Sequence, residues 1–140
     1  MVKFINGIRA ALGFEKAYDF VTEGKDIEAE ELFEKFEKIS PKIPIEQTIL
    51  KGLIKFRLRK HNEAIVAFES AWNKIEEATR LPHMHKVYLR LYISDLAILS
   101  SEMSGMKLRN IRQIDWTEVV MSEVDDRLKK RFPNRDHPDY

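Results

Sequence analysis

The chain contains no cysteine. That absence removes disulfides, thiolate metal ligands and cysteine nucleophiles together, and it fits a cytoplasmic setting. Glycine is sparse: the 5 glycines stand singly, so no glycine-rich loop can cradle a phosphate. No window approaches the ~20 apolar residues of a membrane span. There is no His-Glu-x-x-His pair, and His61, His83, His85 and His137 do not form a cluster with metal-ligand spacing. Serines stand at helix ends without an arranged base, and carboxylates fall on polar stripes where pKa tuning is weak. An excess of one charge is missing too. The formal net charge of +1 gives no global field that would mark a nucleic-acid binder. The expectation is a non-catalytic chain without cofactor or metal.

What is present describes a soluble globular protein. Of the 140 residues, 44% are apolar and 34% charged, enough for one domain with a real core. The opening segment, Met1 to Phe14, is apolar with two positive charges, Lys3 and Arg9. Phe4, Ile5, Ile8 and Leu12 fall on one helical face. They predict a short capping helix over 1–13 that ends or bends at Gly13. Membrane-surface contact through residues 2–14 is a weaker reading, because the face is short.

Helical spacing continues along the chain. A helix from Phe14 to Thr22 turns at Glu23-Gly24-Lys25, and Asp26 is placed to cap the next. That second helix, Ile27 to Ile39, buries Ala29, Leu32, Phe33, Phe36 and Ile39 and turns five glutamates outward. Pro41 and Pro44 close it. A third helix runs from Ile45 to Arg59 with Gly52 in its middle, where close approach of its partner would explain the glycine. Asn62 is placed to cap a fourth, Glu63 to Arg80, whose broad apolar coverage predicts neighbours on two sides. A long helix, His83 to Ser104, follows, with Asp95 inside an apolar stretch where burial would demand a partner. Lys107 to Gln113 is basic and reads as loop or short turn. The last helix, Trp116 to Lys130, places acids before bases, as the helix dipole favours.

One internal echo organises these elements. Gly24 to Glu34 returns as Arg59 to Glu69 at an offset of 35 residues, with Glu28-Ala29 and Phe33-Glu34 matching Glu63-Ala64 and Phe68-Glu69. Repeats of this period mean stacked helix pairs. The pattern resembles the tetratricopeptide repeat: Ala17, Ala29, Phe33 and Pro41 in one unit, and Gly52, Ala64, Phe68 and Ala71 in the next, occupy the family's small and aromatic places. The departures are Phe36 at a small position, Lys55 at a large apolar one, Glu76 for the closing proline, and Leu99 and Met103 in the third pair. The resemblance implies an all-α superhelix of antiparallel helix pairs, with about six to seven helices. As one domain over 1–132 it divides into the capping helix, pairs at 14–43 and 44–81, and a divergent pair at 82–132, with a flexible tail over 133–140.

The resemblance further implies an adaptor or scaffold that holds a peptide or helix in a concave groove, lined here by Tyr18, Lys51, Lys55, Arg59, Tyr88, Arg90 and Tyr92. The carboxylate clamp of some members would fall on Phe14, Tyr18 and Leu50, which cannot form it. Lys51, Lys55, Arg57, Arg59 and Lys60 put five cations within ten residues, and Lys51, Lys55 and Arg59 share a face. Three readings stand: a face neutralised by the preceding helix's glutamates, a site for an acidic protein or peptide, or a nucleic-acid patch extended by Lys107, Arg109 and Arg112. A homodimer through Tyr88, Tyr92 and Trp116 is a further alternative.

Overall fold

The computed structural model describes residues 2–131, apart from the side chains at 2–4, 116, 118 and 122. The tail expected over 133–140 lies outside the described residues, as do the side chains of Phe4 and Trp116. Among the described residues the fold is all-α, with six helices and no strand. They are α1 (Val2–Thr22), α2 (Asp26–Ile39), α3 (Ile45–Arg57), α4 (His61–Glu77), α5 (His83–Ser104) and α6 (Trp116–Arg131). The most extensive contacts join α1 to α2, α3 to α4 and α4 to α5, and α6 packs on α5. α1 also touches α3, and α3 touches α5.

Apolar spacing sets these contacts. Ala29 and Phe33 bury one face of α2, and Phe14 of α1 meets Phe33 with ring centroids 4.7 Å apart. In α4, Ala64, Phe68, Ala71 and Ile75 are buried, and so are Ile65, Ala67 and Trp72 on the flank. A helix sandwiched between α3 and α5 needs this wider coverage. Two apolar clusters result. One joins α1, α2 and α3 around Phe14, Phe33 and Ile54. The other joins α3, α4, α5 and α6 around Phe68, Trp72 and Ile93. α3 belongs to both, with Ile49 in the second and Leu50 in the first.

The echo at 35 residues is repeated in backbone geometry. α1 ends in a left-handed residue, Gly24 with φ 76°, and α3 ends in Arg59 with φ 60°. After α1, Lys25 N–H donates to Phe20 O at 2.8 Å and Gly24 N–H to Val21 O at 3.0 Å. After α3, Lys60 N–H donates to Lys55 O at 2.8 Å and Arg59 N–H to Phe56 O at 3.0 Å. These are the two bonds of a Schellman turn, made twice at equivalent positions. The following N-caps, Lys25 and Lys60, have nearly the same φ and ψ. Asp26 and Asn62, expected as caps, instead lie inside the first turns of α2 and α4. The turn bonds already fix the chain there, and neither cap makes a side-chain hydrogen bond.

Gly13 is not a break: α1 continues through it from Val2 to Thr22, so no separate helix ends at 13. A β-carbon at Gly13 would lie 2.0 Å from the Phe36 ring. The glycine makes room for Phe36, the large residue at a position the echo keeps small. At the equivalent positions 35 residues on, Thr48 and Ala71 exchange the sizes. Gly52 plays the expected part, since its β-carbon would meet the Phe68 ring at 2.4 Å.

The basic segment after α5 is a loop held on α4. The Glu69 carboxylate accepts backbone N–H bonds from Arg109 at 2.8 Å, Asn110 at 3.1 Å and Ile111 at 3.4 Å. Asn110 Nδ2 donates to Asn73 Oδ1 at 2.9 Å. The anchored loop inserts Ile111 and Ile114 into the second cluster. Asp95 is exposed on α5, so the partner that burial would require is not needed.

Candidate functional site: an apolar groove along α1, α3 and α5

The touching helices α1, α3 and α5 enclose an open groove of about 550 Å³. α1 supplies Ala11, Phe14, Glu15 and Tyr18, which recur at helical spacing on one side. α3 supplies Glu46, Gln47, Ile49, Leu50 and Leu53, and α5 supplies Leu89 and Tyr92. The walls are mainly aliphatic and aromatic. Tyr18 is 55% exposed and Tyr92 45%, so both rings stand at the surface instead of filling the core. Partial burial, and second the nearby Tyr18 phenol, push the Tyr92 phenol above its ordinary value. Gln47 Oε1 is buried here with no donor among the described residues.

The charge of the groove is the reverse of expectation. Glu15 and Glu46 line it, and no lysine or arginine does. The cations face α2. Lys51 Nζ donates to both Glu37 carboxylate oxygens at 2.9 and 3.0 Å. Lys55 is only 7% exposed. Its ammonium donates to Glu30 at 2.8 Å and Glu34 at 3.0 Å, and lies 3.3 Å from Glu63. Burial alone would lower the Lys55 pKa, but the hydrogen bonds and charge of these carboxylates outweigh it and hold the group well above its ordinary value. Burial likewise tends to raise the Glu30 pKa, and the bonds from Lys55 and Lys60 reverse that into a net lowering. Arg57 pairs with Asp26 at 2.7 Å, and Lys60 with Glu30 at 2.7 Å. The basic run is therefore mostly neutralised by α2, and of the three readings the first describes its geometry.

Of the residues expected in a groove, Tyr18 and Tyr92 are in it. Tyr88 is exposed one turn earlier on α5 but does not line it. Arg90 turns toward α4, pairing with Glu76 at 2.7 Å and lying 5.7 Å over the Trp72 ring. Arg59 sits in the turn after α3, outside the groove. Lys107 and Arg109 border a different depression, beside Asn73 and Glu77 of α4. Phe14 and Leu50, which the resemblance placed at clamp positions, do line the groove beside Tyr18. Leu53, Leu89, Glu15, Glu46 and Gln47 were not singled out. Their apolar and polar letters look like those of any amphipathic helix, and only the meeting of three helices makes them one surface.

The fold and groove define an all-α domain consistent with a helical repeat, with a surface suited to binding. No family model, curated protein or solved structure matches the chain. Among the described residues no group of three or more His, Cys, Asp or Glu could hold a metal ion. No helix among them is long and apolar enough to cross a membrane.

Proposed function

We propose that this chain is a non-catalytic protein-interaction module of tetratricopeptide type, holding a protein segment in the groove of α1, α3 and α5. The observation that carries the reading is the pair of half-exposed tyrosines, Tyr18 and Tyr92, above an apolar floor of Leu50 and Leu53. Two equivalent Schellman turns 35 residues apart support the repeat assignment. So does the position of the groove on the first helix of each successive pair. Apolar side chains entering the groove supply affinity by leaving water, and the tyrosines give rigid contact area with a hydroxyl at the rim. Glu15 and Glu46 favour an occupant with positive charge, in place of the acidic one the sequence implied. The ion pairs of Lys51, Lys55, Arg57 and Lys60 within the fold weigh against the nucleic-acid reading.

The test is capture from extract of the native cell by the wild-type chain and by the double variant Tyr18→Ala/Tyr92→Ala. Both side chains are about half exposed, so the variant keeps its helical circular dichroism and melting transition while retained partners fall at least about tenfold. Equal capture by a folded double variant overturns the groove assignment.

A further inference from the structure

The groove and the helix that forms its first wall have complementary surfaces. α1 has 21 residues and α2 only 14, so at 1.5 Å per residue α1 is longer by about 10 Å. The N-terminal half of α1 leaves Ile5 50% exposed, Ile8 49% and Leu12 62%. Their spacing of three and four residues makes one stripe. The stripe runs on into the side of α1 that carries Ala11, Glu15 and Tyr18 of the groove. An isolated apolar flank on a helix is poorly stable in water and gains most from a second apolar surface.

Charge identifies that second surface. Arg9 is exposed beside the stripe, and Glu15 and Glu46 border the groove. None of the three has an ion-pair partner among the described residues. We propose that the occupant of the groove is α1 of a second copy of this chain, in a two-fold dimer whose α1 helices run antiparallel and cross near Leu12. This inference rests on the groove being a binding surface and names its partner. In an antiparallel pair centred on Leu12, residues three positions before the centre stand level with residues three positions after it. Arg9 of each copy then stands level with Glu15 of the other. Ile5 and Ile8 of each copy run along the other's groove toward Tyr18. The contact is self-complementary, as a two-fold interface requires: each chain gives a stripe and receives one. A basic apolar helix half meets an acidic apolar trough, which makes charge the guide to register.

The 140-residue chain is measured by sedimentation equilibrium from about 1 to 100 µM. The expected mass rises toward twice the 16.5 kDa of one chain. Arg9→Glu and Glu15→Arg each weaken association about tenfold, and the double variant, with its charges exchanged, restores it. Both positions are exposed, so folding is not at risk. Because the chain has no cysteine, Leu12→Cys introduces a single thiol close to the two-fold axis. Mild oxidation converts it to a covalent dimer, while Val66→Cys, on exposed surface of α4, forms no cross-link.

A monomeric mass throughout this range overturns the dimer. So does association that the charge exchange fails to restore, or a Leu12→Cys chain that does not cross-link. Binding of the monomer to vesicles with anionic lipid, lost in Ile8→Asp, would assign the stripe to a membrane surface instead and equally overturn the dimer. A monomer whose partner capture still depends on Tyr18 and Tyr92 removes this inference and leaves the groove reading standing. A dimer with capture indifferent to those tyrosines removes the groove reading's claim on other proteins.

Discussion

Lys55 holds its position by charge in a place where helical spacing would put an apolar side chain. Its ammonium links α2 through Glu30 and Glu34 to α4 through Glu63. Glu30 keeps Lys60, and Glu34 and Glu63 are half exposed, so Lys55→Met is expected to cost about 1.5 kcal/mol in urea unfolding. The pH dependence follows from Glu30, whose pKa is depressed below its ordinary 4.5. The stabilisation of a depressed carboxylate is present above that ordinary value and lost as pH falls through the depressed one. Wild type therefore loses stability as pH falls below the ordinary value of 4.5, and the gap to Lys55→Met narrows as it falls. A gap that stays constant would mean the pair does not couple to Glu30. Reversing the charges of Lys51 and Lys55 would for the same reason test folding, not binding. The run from Lys51 to Lys60 and the glutamates of α2 are both plain in the sequence. Their register against each other is tertiary, and nothing local encodes it.

At the scale of elements, periodicity located the helices well, including α5 from His83 to Ser104, because buried faces recur every three to four residues. It failed where a local letter has two physical meanings. Gly13 could end a helix or admit a ring, and Phe36, 23 positions later, decides for the second. Gly52 admits Phe68 by the same device, but the two sites differ in what can give way. Phe36 is only partly buried, with solvent on one side of its side chain, whereas Phe68 is fully buried. Gly52→Ala should therefore destabilise by about 2 kcal/mol and Gly13→Ala by clearly less, despite alanine's better helix propensity. Thermal and urea unfolding of the two variants check the order, and equal losses would contradict it. The caps misread at Asp26 and Asn62 have a similar origin. Side-chain preference points to the first good capping letter, while the Schellman turn fixes where each helix starts.

At the scale of the whole molecule, the apolar groove was half legible. Tyr18 and Tyr92 could be named because the repeat resemblance identifies which helices face inward. The groove's sign could not, since Glu15 and Glu46 lie on different helices and become neighbours only when α1 and α3 touch. The pinned loop after α5 was illegible for the same reason: Glu69 and the amides of Arg109 to Ile111 are about 40 residues apart.

The placing of Ile49 and Leu50, adjacent on α3 yet committed to different apolar clusters, has a kinetic consequence. Neither half of the chain can open without stripping one side of α3, so the helix is the keystone of a single cooperative unit. In deuterated buffer the amides of α3 around Ile49 to Ile54 should be the last to acquire label, and at one common rate set by global opening. Amides of the first two turns of α1 should label orders of magnitude sooner. If α3 labelled in two stages, the molecule would instead come apart at a seam between its N- and C-terminal halves.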